Sequence, residues 1–444
     1  MGKRLILVLA LALVVGLTFS AAYAEVQNVK VSGDINILGA MRNNFDLSNP
    51  GNPVASATQT KENDKASFLA TQTRVRIDAD LTDNVMATVR LINERNWTTE
   101  DNASTDIDLD LAYVTLKEFL YSPLTLTLGR QELRFGNQLI IGNNGTYLGG
   151  YGATNGLPTD LSVRNAFDAL RATLNYDPLV IDLVYAKVSN NNVNASDDTD
   201  LFGVNAAYDL NKKINVQAYI WDRKDKSVDV VNSKKDDTYT LGGLVTISPI
   251  ADLRASLEAA WQFGKNRVAA NTGVTTKRNA YALQARADYT LSKVKFMPAI
   301  GAGYTYLAGD GKNAAWNQMY YNQNLGNIAY AILPFSNMHV FNLKASVKPM
   351  EDVTVSALYG YYKLVNSVAN ITSGKSDSNG NPYLNGTNLN TNKNNLGQEV
   401  DITVAYDYTE DVQLGLTMGC FAPGDAFPDN RMATQAVASM KVTF

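Results

Sequence analysis

The sequence predicts an all-β protein: a transmembrane antiparallel β-barrel of about 18 strands that follows a cleaved N-terminal signal peptide. Three observations support this fold class. Segments of about ten residues alternate apolar and polar side chains. The connections between these segments alternate between short turns and long polar loops, and one short apolar segment stands at the N terminus. The N-terminal segment determines the cellular compartment.

Residues 1–24 have the pattern of a secretory signal peptide. Lys3 and Arg4 are basic, residues 5–17 are apolar without interruption, and residues 22–24 read Ala-Tyr-Ala, a small-residue cleavage pattern. The apolar run is shorter than the about 20 residues that a transmembrane helix needs. No change in composition divides the rest of the chain. We therefore expect one mature barrel domain over residues 25–444.

The strand pattern is clear in residues 253–262. Apolar side chains occupy the odd positions, and the even positions include Arg254, Ser256 and Glu258. Eighteen such segments can be counted, for example near residues 294–308. Charged side chains cannot fill the core of a soluble sandwich, so the polar face indicates an aqueous lumen. Strands survive in lipid when the sheet closes and leaves no edge.

The connections predict the orientation of the barrel. Short turns follow residues 81, 176 and 409, and an even number of strands returns both termini to the periplasmic side. The long loops on the other side cover residues 42–66, 136–166, 309–335 and 365–395.

The C-terminal segment alternates over residues 436–444 and ends at Phe444. This ending resembles the signal that bacterial outer-membrane barrels present to their assembly machinery, which we therefore expect as a partner, together with outer-membrane lipid.

Composition excludes several classes of protein. After loss of residues 1–24 the chain has 37 basic and 43 acidic side chains, and this mild acidity argues against nucleic-acid binding. The single cysteine excludes a disulfide within one chain. The single histidine, His339, alternates with Phe341 and Leu343 and so belongs on the lipid or interface side. No serine elbow, metal-ligand spacing or phosphate loop is present, so we expect no enzyme activity, no metal and no cofactor.

Four motifs resemble the alginate export family of outer-membrane porins: residues 128–138, 164–171, 396–401 and 421–427. The resemblance implies a monomeric barrel of 18 strands. It also implies a pore lined by basic side chains that passes a hydrophilic or polyanionic solute. Arg130, Arg171 and Glu399 occupy motif positions and are implied pore residues.

Alternation extends the candidate pore lining to charges of both signs, which favours small polar or charged solutes over one polyanion. With the motif residues, the candidates are Arg74, Arg76, Arg90, Arg130, Arg171, Arg254, Arg286, Lys344, Glu94, Asp106, Asp108, Asp110, Asp182, Glu258, Asp288, Glu399 and Asp401.

Some of these candidates have two interpretations. Asp106, Asp108 and Asp110 share one face of a strand and could bind a cation, although pairing with arginines of neighbouring strands is favoured. Arg74 and Arg76 could steer anions or serve as structural ion-pair partners. Strict alternation from Leu128 turns Arg130 towards lipid, so either a bulge near Gly129 shifts the register or Arg130 snorkels at the interface.

The loop 136–166 is rich in glycine and asparagine, which disfavour a helix or strand there. It could fold inward as a pore constriction or remain an exposed surface loop. The favoured function is an outer-membrane channel for hydrophilic, anionic solutes. A general small-solute diffusion porin and a surface-recognition barrel with a plugged lumen are the alternatives.

Overall fold

The computed structural model describes residues 28–47, 65–97, 107–143, 157–189, 198–226, 236–267, 275–309, 315–373, 375–376, 382–384 and 386–444. The predicted signal peptide and Asp106 lie outside these residues.

The described chain forms strands and one short helix, α1. The strands are β1 (Asn28–Asn43), β2 (Lys65–Thr82), β3 (Val85–Asn96), β4 (Asp108–Leu116), β5 (Leu124–Glu132), β6 (Ala166–Asn175), β7 (Leu179–Ser189), β8 (Thr199–Asn211), β9 (Ile214–Asp225), β10 (Asp236–Ile247), β11 (Leu253–Arg267), β12 (Thr275–Thr290), β13 (Ala299–Leu307), β14 (Met338–Met350), β15 (Val353–Leu364), β16 (Asn370–Ile371), β17 (Thr387–Asn388), β18 (Asn395–Asp407), β19 (Val412–Pro423) and β20 (Ala433–Thr443), and α1 is Asn327–Ile332.

Eighteen of these strands form one closed antiparallel sheet. Each barrel strand pairs with its neighbour in the chain, while β1 pairs with both β2 and β20 and so closes the ring. The last residue takes part in closure, because the Phe444 N–H donates to Gly33 O at 3.0 Å and Gly33 N–H donates to Phe444 O at 2.8 Å. The remaining pair, β16 and β17, is a small ladder within the loop between β15 and β18. The predicted 18-stranded barrel is confirmed.

Side chains alternate across the wall as the sequence predicts. On β11, Leu257 is 51% exposed on the outer face, whereas Glu258 beside it is 1% exposed on the inner face. Aromatic side chains gather on the outer face, where the rings of Trp261 and Tyr281 stack at 6.4 Å. His339 joins this face, since its Nδ1 lies 2.9 Å from Tyr304 Oη. None of the described helices combines the length and hydrophobicity needed to cross a membrane.

Connection lengths also alternate around the ring. β2 and β3 are joined by residues 83–84, and β6 and β7 by residues 176–178, whereas residues 133–165 join β5 to β6 and residues 308–337 join β13 to β14. Because short turns share one edge of the barrel, they mark the periplasmic side.

An apolar core occupies part of the barrel interior, inside the polar inner face that the sequence predicts. Leu133, Ile141, Ile328 and Ile332 are buried in one cluster together with wall residues such as Tyr362. The first four belong to the loops after β5 and β13. These loops therefore enter the lumen and bury apolar surface there, which the hydrophobic effect favours.

We expect Leu257→Arg to destabilise the barrel by about 2–4 kcal/mol relative to Leu257→Ala, because a charged side chain near the bilayer midplane loses its hydration. Reversible unfolding in lipid vesicles measures this difference. Equal stability of the two variants would contradict the lipid-facing position of Leu257.

Candidate functional site

Residues 133–143, the first inward segment, fold against the inner face of β11. Asn137 N–H donates to Glu258 Oε2 at 3.2 Å, and Asn137 Nδ2 donates to Ser256 Oγ at 3.3 Å. On the wall, Tyr219 Oη donates to Glu258 Oε1 at 2.9 Å. The buried Glu258 carboxylate therefore joins a strand tyrosine to the backbone of the inward segment.

Residues 315–337, the second inward segment, come from the loop between β13 and β14. The side-chain amide of Gln262 on β11 pairs with the backbone of Asn317: its Nε2 donates to Asn317 O, and Asn317 N–H donates to its Oε1, both at 2.8 Å. The two inward segments also bind each other. Gln323 Nε2 donates to Asn137 O at 2.6 Å, and Gly142 N–H donates to Tyr320 O at 2.7 Å. They form one unit inside the barrel.

The helix α1 is held by two carboxylates of β18. Ile328 N–H donates to Glu399 Oε1 at 2.6 Å, and Ala329 N–H donates to Glu399 Oε2 at 2.8 Å. Asn327 N–H donates to Asp401 Oδ2 at 3.1 Å. These bonds satisfy N–H groups that have no partner within a helix. A side chain at Gly326 would lie 2.0 Å from Tyr362 Oη, so this close approach requires glycine.

Residues 157–165, the third inward segment, are held by Glu94 on β3. Its carboxylate accepts from Ser162 Oγ at 2.8 Å, from Val163 N–H at 2.9 Å and from Arg164 Nε at 3.1 Å. Arg164 Nη1 also lies 2.7 Å from Asp108 Oδ2. Both Glu94 and Arg164 are buried, so they satisfy each other's charge where water is scarce.

Most arginines nominated on strands β2 to β6 have carboxylate partners. The pairs join Arg74 to Asp34, Arg76 to Asp78, Arg90 to Asp110, Arg90 to Glu132 and Arg171 to Asp182, at distances from 2.5 to 2.9 Å. Of the acidic ladder, Asp110 thus pairs with a neighbouring strand, whereas Asp108 pairs with an inward segment. In the described residues, no group of three potential ligands is arranged to hold a metal.

Arg130 differs from these arginines. Its Nη1 lies 3.4 Å from Asp168 Oδ2, and the side chain of Asp168 is 60% exposed. β5 pairs with β4 and β6 without a register shift near Gly129, so the bulge, one of the two interpretations of Arg130, is not present. Instead, Gly129 adopts a φ of +121°, and a Cβ there would lie 2.2 Å from Ala112 O. Glycine meets this backbone requirement without moving the strand.

Three basic side chains on the opposite wall have a different environment. Arg254 lies on the same face of its strand as Glu258, Arg286 on the same face as Gln284, and Lys344 on the same face as Asn342. This is the inner face, because Asn342 Nδ2 donates to Leu325 O inside the barrel. Among the described residues, none of the three has a carboxylate within ion-pairing distance.

Two glycines separate these basic residues. Asp288 and Lys344 both pair with Gly301 of β13, and Arg286 pairs with Gly303. The inner face of β13 therefore carries no side chain at these two levels, which leaves space between β12 and β14.

The sequence pointed to the first inward segment and missed the second. Residues 315–337 lie in a loop assigned to the outer surface, yet the loop contains the apolar run 328–335, unusual for a solvated connection. This run was the available signal. The hydrogen-bond partners of residues 315–337 lie on β10, β11, β12, β14, β15 and β18, far apart in sequence, so no local pattern could name them.

A model of the alginate export family matches residues 52–440. The chain belongs to the alginate export family. No curated protein matches the sequence. This family membership and the closed barrel identify the chain as an outer-membrane channel of a Gram-negative bacterium.

Solved porins of Pseudomonas aeruginosa share the fold of this alginate export family member. OpdQ matches with a TM-score of 0.55 at 13% identity, covering 94% of this chain and 98% of that chain. OccK8 (OprE) matches with a TM-score of 0.57 at 12% identity, covering 94% and 98%. OccK9 (OpdG) matches with a TM-score of 0.57 at 13% identity, covering 94% and 99%.

We expect Glu399→Gln to loosen α1 in this alginate export family channel. An amide keeps one acceptor oxygen but presents an N–H to one of the two helical N–H groups, and hydrogen bonds to charged acceptors contribute about 1.5–3 kcal/mol each. Hydrogen exchange of a peptide covering residues 325–335 should accelerate at least about tenfold. Glu410→Gln, in the turn after β18, is the matched control. Unchanged exchange in Glu399→Gln would show that other contacts hold the helix.

Proposed function

We propose that this alginate export family channel passes small hydrophilic solutes, with a preference for anions, through a constriction built by the first and second inward segments. The observation that supports the proposal is how the inner face distributes its charges. The acidic side chains Glu94, Asp110, Asp182, Glu399 and Asp401 are buried in contacts with partners, while Arg254 and Lys344 are exposed. Asp288 is the one exposed acid among the candidate pore residues that the structure describes.

A buried and hydrogen-bonded carboxylate contributes less field to the lumen than an exposed, unpaired cation does. Water and counter-ions in the lumen meet Arg254 and Lys344 directly. Asp288 lies between them in the register of the sheet, and Arg286 lies on the next rung, opposite Ser256 and Gly303. The three basic side chains outnumber this one acid. Selectivity in a wide pore follows the charges at its wall. The candidate pore residues include both acidic and basic side chains, but the exposed ones are mainly basic, which favours anions.

Two features separate this proposal from its alternatives. A general diffusion porin needs a wide aqueous passage, whereas the two inward segments bind across the lumen to β11, β14 and β18. A surface-recognition barrel needs a lumen that carries no solute. Exposed basic side chains beneath the inward segments have no evident structural use and favour conduction.

No covalent chemistry forms part of the proposal. His339, the single histidine, contacts Tyr304 on the outer face. We further propose that the barrel works as a monomer, with the alternating β20 and Phe444 read by the assembly machinery before closure onto Gly33.

We expect Arg286→Gln and Lys344→Gln, separately and together, to move the reversal potential towards cation selectivity in planar bilayers under a salt gradient. Each substitution removes a cation that forms no ion pair with a carboxylate in the described part of the chain. Lys363→Gln, one residue from buried Tyr362 and therefore on the outer face, is the control. Cation selectivity of the unmodified channel, or an equal shift in the control, would contradict the proposal.

We expect Arg171→Ala also to shift selectivity towards cations, but for a different reason. Arg171 Nε lies 2.7 Å from Asp182 Oδ1, so its removal leaves a carboxylate unpaired. The double variant Arg171→Ala with Asp182→Ala should restore the original reversal potential. If the double variant keeps the full shift, Arg171 acts on permeating ions directly.

A further inference from the structure

A cavity of about 390 Å³ lies beneath α1, between the second inward segment and the wall. Asp288, Gly301, Lys344 and Asp401 contribute from the wall, and Asn324 and Asn327 contribute from the inward segment. The volume is at the lower end of the range of small-molecule sites. The cavity can therefore accommodate a small solute.

Opposite charges face each other across the glycine floor of this cavity. Asp288 and Lys344 are the two cross-strand partners of Gly301, so their Cα atoms are separated by two strand spacings, about 10 Å. They form no ion pair with each other in the described structure. Because Gly301 has no side chain, the Asp288 carboxylate extends over it, and a Cβ at Gly301 would lie 2.4 Å from Asp288 Oδ1.

Asp401 borders the cavity but directs its carboxylate elsewhere. Its Oδ2 accepts from Asn327 N–H at 3.1 Å, and a Cβ at Gly419 on β19 would lie 2.3 Å from its Oδ1. The opposite charges of Asp288 and Lys344 therefore carry the recognition.

A row of hydroxyl groups borders the cavity on the side away from Glu399. Ser346, Ser356 and Thr403 are cross-strand neighbours on β14, β15 and β18, and all three line the cavity. Hydroxyl groups donate and accept, so they suit either charged end of a ligand.

We propose that this cavity binds small zwitterionic solutes of the amino-acid class. The solute's ammonium faces Asp288, and its carboxylate faces Lys344, with Arg286 on the next rung of the same wall. A simple anion would leave Asp288 opposed to its charge, and a simple cation would oppose Lys344. A neutral solute would leave both charges unused. The inference rests on the proposed function, because it assigns a solute class to the same lumen.

The test compares alanine with its two singly charged fragments: propionate, which lacks the ammonium, and ethylamine, which lacks the carboxylate. Binding is measured by saturation-transfer NMR on the full-length protein in detergent micelles, which does not depend on conduction. We expect alanine to bind saturably and the two singly charged probes to bind at least about tenfold more weakly, because each lacks one charge-assisted contact.

Variants identify which charged side chain binds which end of the solute. Asp288→Asn should weaken alanine about tenfold and make propionate the preferred probe over ethylamine. Lys344→Gln should weaken alanine about tenfold and invert that preference. The matched control is Lys441→Gln on β20, four strands from β14, where Lys441 pairs with the inner-face Asn36. The control should leave alanine binding unchanged.

Several outcomes would overturn the proposal: no saturable alanine binding, propionate binding as tightly as alanine, or an equal loss in Lys441→Gln. A loss of affinity without the inverted probe preference would also overturn it, since general disturbance of the fold produces that result. Planar-bilayer current on the same preparation tests the proposed function separately. Alanine binding without anion-preferring current refutes the proposed function alone, and current without alanine binding refutes this inference alone.

Discussion

Wall carboxylates that accept backbone N–H groups hold the interior of this barrel together. Glu94 accepts from Val163, Glu258 from Asn137, and Glu399 from Ile328 and Ala329. Each bond joins a strand to an inward segment. A segment entering a narrow lumen loses water from its backbone, and an unpaired N–H there would cost more than its apolar contacts return. The carboxylates remove that cost, so the apolar core inside the ring depends on them.

The same contacts determine the electrostatics of the channel. A carboxylate engaged by backbone N–H groups or by a buried arginine is stabilised in place and withdrawn from the permeating solution. The exposed cations on β11 and β14 have no such partner. A chain with a negative net charge can therefore line its passage with basic side chains. The net charge counts every side chain, whereas a permeating solute contacts only the exposed ones. The attachment of the inward segments and the proposed preference for anions therefore have one physical origin.

The sequence predicted the barrel well because strand alternation, turn residues and the C-terminal strand are local signals. It predicted the start of β13 five residues early, near 294, because the turn 291–298 contains Val294 and Phe296 in an alternating pattern. The charged inner face was readable, but the partner of each charge was not. Arg164 joins Glu94 over 70 residues, and Glu399 joins Ala329 over the same separation. Such pairings follow from closure of the ring, which no local window contains.

The division between wall and inward segments has a consequence for how solute preference can change. The wall must keep its alternation, its register and its closure, since lipid tolerates no open edge. The inward segments meet only the lumen, and they attach through a few carboxylate and amide groups. A new sequence between the anchored residues could therefore reshape the cavity beneath α1 while β12 to β18 keep their positions. The anchors fix where the constriction lies, and the residues between them set what can pass.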